Sequence, residues 1–103
     1  MIKEIINNDF SEVAASKASV VDFNATWCGP CKMMAPVLEK VSDLMEGKAE
    51  FFAIDVDENM MLAAQFGIQS IPTLAIFKDG ELVAKSIGFV PQPALEKWLG
   101  ENL

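Results

Sequence analysis

The chain has 103 residues, of which 51% are apolar and 22% are charged, and its formal net charge is −7. No apolar run reaches the roughly 18 residues of a membrane-spanning helix, so we expect no membrane span and a single domain over residues 1–103. Histidine and arginine are absent, which excludes imidazole catalysis, histidine metal ligands and guanidinium clamps for phosphate. The negative charge also argues against nucleic-acid binding.

The first half of the chain predicts a strand, a helix, a strand and a helix in that order. Residues 2–6 form the first predicted strand, and the polar residues 7–9 can cap a short helix after it. Residues 18–24 are mostly apolar, as in a strand that is buried on both faces. Apolar residues then recur at helical spacing over 28–45, with Pro36 inside this helix, where we expect a kink.

The second half predicts one more strand and helix, followed by a hairpin and a last helix. The strand lies at residues 50–56, and Asp57, Glu58 and Asn59 are expected to cap the helix that follows and is closed by Gly67. The remaining elements lie at residues 73–77, 82–87 and from Pro91 onward. Asp79-Gly80 between the last two strands is a strong hairpin signal, and Trp98 lies on the apolar side of the last helix. The order βαβαβαββα predicts an α/β fold with a central mixed five-stranded sheet flanked by helices.

The two cysteines lie in the sequence Cys28-Gly29-Pro30-Cys31, where the second strand gives way to a helix. A sulfur at a helix N-terminus meets unpaired N–H groups and the positive end of the helix dipole. Both favour the thiolate, which is the nucleophilic form. Pro30 suits the first helical turn, which does not need its N–H. Opening a disulfide between the two sulfurs delivers two electrons, so the pair is a candidate redox site.

Three other interpretations of the cysteine pair stay open at this point. It could be half of a zinc site, although completing that site needs a second subunit or carboxylates, because the chain has no further cysteine or histidine. It could be an inert structural disulfide, although so short a loop removes little unfolded-state entropy. It could also be two thiols buried in the core.

The segment Val-Asp-Phe-Asn-Ala-Thr-Trp-Cys-Gly-Pro-Cys-Lys-Met at residues 21–33 resembles the active-site region of the thioredoxin family. Ala35-Pro36 follows at the family's interval. Residues 66–74, which include Ile71-Pro72-Thr73, resemble the second signature of the family, and 78–80 and Gly88 continue it without gaps. The resemblance covers essentially the whole chain, is highly specific, and implies the thioredoxin fold.

The resemblance also implies roles for three residues at the centre of the site. Cys28 is expected to be the exposed thiol that attacks a substrate disulfide, and Cys31 the resolving thiol that releases the reduced substrate. Asp22 is expected to be a buried carboxylate with a raised pKa that takes the proton of Cys31, directly or through water. A polar residue at a strand edge is the alternative for Asp22.

A flat, apolar docking surface for protein substrates is implied as well. In the resemblance it consists of Trp27, Gly29, Pro30, Ile71, Pro72, Gly88 and Phe89, of which the first three form the active-site loop. Pro72 is expected to be cis and to pack beside the cysteines, while Ile71 offers backbone groups to an extended substrate. The alternatives are core packing for Ile71 and Phe89, and a simple strand-end turn for Gly88.

Two positions depart from the pattern that is common in the family. Many members have an aromatic residue at the position of Asn24, and many have a lysine at the position of Ala53, close to the buried carboxylate. If the register holds, Asp22 lacks that cation, and the loss of an opposite charge raises the pKa of Asp22 further.

The function that the resemblance implies is that of a general protein-disulfide reductase. It would pass electrons from an NADPH- or ferredoxin-linked thioredoxin reductase to target proteins, with no cofactor beyond the Cys28–Cys31 disulfide and no metal. We expect a cytoplasmic monomer, because no secretory signal is visible and a reversible dithiol suits a reducing compartment. The alternatives are a disulfide oxidase or isomerase on the same fold, a non-redox binding module, and a zinc-bridged dimer.

Overall fold

The structure is a computed structural model that describes residues Met1–Leu103 and has the predicted order of elements. The strands are β1 (Ile2–Ile5), β2 (Ala18–Asn24), β3 (Glu50–Asp55), β4 (Thr73–Lys78) and β5 (Glu81–Ile87). The helices are α1 (Ser11–Ala15), α2 (Gly29–Leu44), α3 (Met60–Gln65) and α4 (Gln92–Asn102). The predicted α/β fold with four helices around a five-stranded sheet is therefore confirmed.

The five strands form one mixed sheet in the order β1-β3-β2-β4-β5. β1 and β2 pair with β3 in parallel, whereas β4 pairs with β2 and with β5 in antiparallel fashion. Because β4 is antiparallel to β2, the start of β4 lies beside the end of β2. The residues after β2, including the cysteines, therefore meet Ile71-Pro72 before β4.

Each face of the sheet carries its own core, because side chains along a strand alternate between the two faces. The face toward α1 and α3 buries Ile5, Val13, Val21, Phe23, Phe52, Ile54, Leu62, Ala75 and Phe77. The face toward α2 and α4 buries Val20, Met34, Leu38, Val41, Phe51, Leu74, Ile76, Leu95 and Leu99, with Trp98 packed beside them as predicted. By the same alternation, Asp22 shares the face of Val20 and lies under α2.

The boundaries differ from the predicted ones by one or two residues. β1 ends at Ile5 because Asn7 and Asn8 adopt positive φ angles and turn the chain there. α2 begins at Gly29, with Cys28 as its N-cap, and continues through Pro36 to Leu44; the expected kink stays a prediction. Asp79 and Gly80 form the predicted hairpin turn.

The side chains that hold the two short helices differ in part from the expected caps. At α1 the N-cap position is Phe10 and no side chain makes a capping bond there; Asp9, one residue earlier, accepts hydrogen bonds from the backbone and hydroxyl of Ser11, at 3.0 and 2.6 Å. Asn59 occupies the N-cap position of α3, but its side chain makes no capping bond there. Asn8 supplies that bond instead, because its Oδ1 accepts from the backbone N–H of Leu62 at 3.1 Å. The Asn59 side chain binds the backbone of Asn8, Ile5 and Asp55, and thereby ties α3 to β1.

Candidate active site

The cysteine pair begins helix α2, four residues after the end of β2. Cys28 is the N-cap residue with extended backbone angles, and its Sγ accepts a hydrogen bond from the backbone N–H of Cys31 at 3.2 Å. Pro30 lies in the first turn of α2, where backbone N–H groups have no carbonyl partner within the helix, so its lack of an N–H costs no helical hydrogen bond. The predicted position of the sulfurs at a helix N-terminus is therefore confirmed.

Cys28 and Cys31 form a disulfide, with their Cα atoms 5.2 Å apart. The two residues are 5% and 4% exposed and pack with Ala25, Val56 and Ile71. The expectation that Cys28 is exposed is wrong for this disulfide form, in which Cys28 is buried in one cluster with these three side chains. Burial therefore does not distinguish the two cysteines, although their neighbours do.

The segment before β4 forms one wall of the site. The Ile71–Pro72 peptide bond is cis, as expected, and the carbonyl oxygen of Ile71 lies 3.9 Å from Sγ of Cys28. The backbone N–H of Gly88 donates to the carbonyl of Pro72 at 2.8 Å, which brings the end of β5 to the same place. Cys28, Ile71, Pro72 and Gly88 thus lie together, although they are up to 60 residues apart in sequence.

The remaining residues of the expected docking surface are exposed around this group. Gly29 and Pro30 are exposed in the first turn of α2, and Trp27 is 69% exposed. Phe89, at 39% exposure, is not the core residue that was its alternative interpretation. Ile71 is half-buried and packs against both the disulfide and the α1/α3 core. Core packing and a place in the docking surface, the two interpretations of Ile71, therefore both apply.

Trp27 has a polar partner that the sequence did not reveal. Its indole Nε1 donates to Oδ2 of Asp57 at 2.8 Å, and Asp57 belongs to the turn after β3. The Asp57 backbone N–H in turn donates to Oδ1 of Asp55 at 2.8 Å, which fixes that turn. Asp57 was expected only to cap α3. No local sequence signal links two residues 30 positions apart, so only the folded structure reveals this contact.

Asp22 is buried in the central strand of the sheet, at 4% exposure, so a strand-edge position is wrong. It pairs with Ala53 on β3 and with Leu74 on β4, so the register expected for Ala53 is confirmed. Its Oδ2 accepts from Nδ2 of Asn24 at 3.2 Å, whereas Oδ1 is buried without a hydrogen-bond partner. Burial raises the pKa of Asp22 to about 6, although the Asn24 hydrogen bond acts in the opposite direction.

A cleft of about 340 Å³ joins Asp22 to the second cysteine. Its inner walls are Asp22, Asn24, Cys31 and Ala53, and charged side chains of β1 and α2 also line it. These charged residues are Glu4, Lys32 and Glu39. Cys31, but not Cys28, borders this cleft, so a proton acceptor for the second sulfur is available there.

No three histidine, cysteine, aspartate or glutamate side chains come together in a way that could hold a metal ion. None of the helices combines the length and the apolar character that crossing a membrane requires.

The fold and the helix-terminal disulfide define the chain as a thiol–disulfide oxidoreductase. The family model described as Thioredoxin matches residues 1–101, and the chain belongs to this family. A thioredoxin of Staphylococcus haemolyticus is 49% identical over 102 residues, which are 99% of this chain and 98% of that protein. Thioredoxins of Staphylococcus epidermidis and Staphylococcus aureus are 48% identical over the same shares. With its active-site disulfide, the chain is a protein-disulfide reductase that has protein substrates and a partner reductase.

Proposed function

We propose that residues 1–103 work as a single, monomeric, cytoplasmic domain that reduces disulfides in many target proteins. The observation that carries this proposal is the disulfide at the N-terminus of α2, with Sγ of Cys28 accepting from the backbone N–H of Cys31 at 3.2 Å. In the reduced protein this N–H and the helix dipole stabilise the Cys28 thiolate. Only Gly29 and Pro30 lie between the cysteines, so no histidine charge adds to that stabilisation.

The reaction has two exchange steps in which the electrons balance. The Cys28 thiolate attacks one sulfur of a substrate disulfide, forms a mixed disulfide, and releases the other substrate sulfur as a thiolate. Cys31 then loses its proton and attacks Sγ of Cys28, which forms the Cys28–Cys31 disulfide and releases the first substrate sulfur. Two electrons have passed to the substrate, and the two substrate thiolates take up protons.

Asp22 is the acceptor of the Cys31 proton in this scheme. Both residues line the same cleft, which is wide enough for water to connect them. A carboxylate with a pKa of about 6 is ionised at neutral pH and still accepts a proton readily. Burial beneath α2 is what gives Asp22 this pKa, and the scheme assigns no other base to Cys31.

Substrates dock on the surface around Cys28 in this proposal. The carbonyl of Ile71, 3.9 Å from Sγ of Cys28, supports pairing with the backbone N–H of an extended substrate segment. The exposed Trp27 and Phe89 and the small residues Gly29 and Gly88 offer an apolar surface that demands little specific shape. An NADPH- or ferredoxin-linked thioredoxin reductase uses the same surface to return electrons, and no cofactor beyond the disulfide takes part.

The first test is the reduction potential of the Cys28–Cys31 pair, measured by equilibration with a defined thiol buffer. A reductase of this kind is expected near the thioredoxin value of about −270 mV. A value near about −120 mV, the level of a strong disulfide oxidant, would contradict the proposal and favour disulfide formation. A pair that never equilibrates would point to a metal or a binding role.

A trapping experiment tests the order of the two cysteines. Cys31→Ser is expected to accumulate a mixed disulfide between Cys28 and a model protein substrate, because no resolving thiol remains. Cys28→Ser is the matched control and is expected to trap much less, since Cys31 borders the cleft of Asp22 whereas Cys28 lies beside the carbonyl of Ile71 at the docking surface. Mass spectrometry of the complexes measures both. Equal trapping by the two variants would contradict the assigned roles.

A further inference from the structure

The buried carboxylate of Asp22 has only one polar partner, and that partner lies on its own strand. Ala53 faces it from β3 and Leu74 from β4, so neither neighbouring strand supplies a hydrogen bond or a charge. Nδ2 of Asn24, two residues further along β2, donates both to Oδ2 and to the backbone carbonyl of Asp22, each at 3.2 Å. This double contact fixes the amide beside one carboxylate oxygen.

The two oxygens of Asp22 are therefore not equivalent. Oδ2 accepts a hydrogen bond from Asn24, whereas Oδ1 is buried with no partner at all. In a protonated carboxyl group the carbonyl oxygen is the better acceptor, so the amide keeps Oδ2 in the carbonyl role. A proton that reaches Asp22 is then carried by Oδ1, the oxygen with unused capacity.

We propose that Asn24 is a positioning residue for proton transfer: its amide holds Oδ2 of Asp22 and leaves Oδ1 to exchange the proton with Cys31. In the resolving step the Cys31 S–H bond breaks and an O–H bond forms at Oδ1. The Cys31 thiolate then attacks Sγ of Cys28, the mixed disulfide between Cys28 and the substrate breaks, and the substrate sulfur leaves as a thiolate. The proton later leaves Oδ1 through the cleft. The inference rests on the proposed function, because it takes Asp22 as the acceptor.

Three other charged side chains line the cleft that joins Asp22 to Cys31. Glu4 reaches it from β1, and Lys32 and Glu39 reach it from α2, the helix that also carries Cys31. β3 contributes the uncharged Ala53 to the cleft. The β4 residue that pairs with Asp22, Leu74, is also uncharged. A series of variants that leaves Glu4, Lys32 and Glu39 in place therefore isolates the effect of the amide.

The test compares Asn24→Leu, which keeps the size of the side chain but removes its donors, with Asn102→Leu. Asn102 is the matched control, because its Nδ2 also donates to a backbone carbonyl, that of Trp98, far from the site. Carboxyl-carbon NMR of the disulfide form measures the pKa of Asp22, and single-turnover kinetics measure substrate release from Cys28 against pH. In Asn24→Leu we expect both midpoints to rise by about one pH unit, since a hydrogen bond to the ionised form is lost. Asn102→Leu is expected to change neither.

A compensating variant separates this role from a structural one. Ala53→Lys places a cation opposite Asp22, so in the Asn24→Leu background it is expected to return both midpoints toward the unmodified values. A purely structural role would lower the stability of Asn24→Leu without moving either midpoint, and Ala53→Lys would not restore it. If Asn24→Leu does not fold, Asn24→Ala replaces it in the same series.

The outcomes distinguish this inference from the proposed function. Unchanged midpoints in Asn24→Leu overturn the role of Asn24, and so does a shifted pKa without a shifted release profile. Asp22→Asn tests the proposed acceptor itself. If Asp22→Asn releases substrate at the unmodified rate at every pH, Asp22 is not the acceptor and the scheme for Cys31 fails. Slow release by Asp22→Asn, together with shifted midpoints in Asn24→Leu, supports both.

Discussion

Asp22 places an ionisable group in the middle of the sheet, and its protonation is therefore linked to folding. Its pKa rises from 3.8 to about 6 in the folded protein, chiefly because burial disfavours the charged form. Between these two values the folded state binds more protons than the unfolded state, so stability falls as the pH rises. The destabilisation is absent well below pH 3.8, grows between the two pKa values, and is complete only well above pH 6.

We predict that Asp22→Asn stabilises the disulfide form at pH 8 by about 3 kcal/mol. The pKa difference is about two units, and each unit corresponds to about 1.36 kcal/mol. The gain should shrink as the pH falls from 6.5 to 4, as measured by urea unfolding at several pH values. Asp79→Asn, which neutralises an exposed carboxylate in the hairpin turn, is the control and should leave the slope with pH unchanged. A gain that is constant from pH 4 to pH 8 would contradict the linkage.

The residues of the site differ in how far the sequence predicts them. The spacing of Cys28 and Cys31 after a strand is a local signal, so their placement at a helix end could be foreseen. The apolar run around Asp22 predicts a buried strand, whereas the burial of the Asp22 carboxylate follows only from the resemblance to the family. The burial of Cys28 could not, because it depends on Ile71 and Val56 folding over the disulfide. The Trp27–Asp57 contact likewise depends on how two separate loops meet.

At the scale of elements, the β4–β5 hairpin is packed against the end of α1 through a glycine. Gly80 has a φ of +82°, and a Cβ built on it would lie 3.1 Å from the carbonyl oxygen and 3.2 Å from the Cα of Ala14. Gly47 has a nearly identical φ of +87°, but a Cβ there would meet nothing within 4 Å. The two glycines therefore separate backbone strain from crowding.

We predict that Gly80→Ala destabilises the protein by clearly more than Gly47→Ala. A left-handed conformation costs alanine about 1 kcal/mol at either position. At Gly80 the new methyl group also presses on backbone atoms of Ala14, which cannot rotate away, so we expect a further loss of at least about 1 kcal/mol. Urea unfolding of the two variants under one condition measures the difference. Equal losses would show that the hairpin and α1 separate without cost.

The sequence predicts the helices and strands better than it predicts the side-chain hydrogen bonds that connect them. The alternation of strands and helices and the Asp79-Gly80 turn follow from residues that are close together in the chain. The bond that caps α3 does not, since it comes from Asn8, more than 50 residues away from Leu62. A sequence pattern places Asn59 correctly at the N-cap, but it cannot show that the side chain binds β1 instead.

At the scale of the whole molecule, the three central strands belong to both cores. In β2, Val20 faces α2 and α4 whereas Val21 faces α1 and α3, and β4 alternates in the same way at Ile76 and Phe77. Neither core can therefore lose its strands without disrupting the other. The two faces should unfold together.

We predict that weakening one face lowers the stability reported from the other by the same amount. Leu62→Ala removes a buried side chain from the α1/α3 core and should cost about 2–5 kcal/mol. In a Trp27→Phe background, Trp98 is the single indole and reports on the α2/α4 core. Its fluorescence midpoint in urea is expected to coincide with that of far-ultraviolet circular dichroism, in Leu62→Ala and in the matched variant Leu95→Ala. If Trp98 keeps its original midpoint in Leu62→Ala while the ellipticity is lost earlier, the two faces unfold separately, and the shared strands do not couple them.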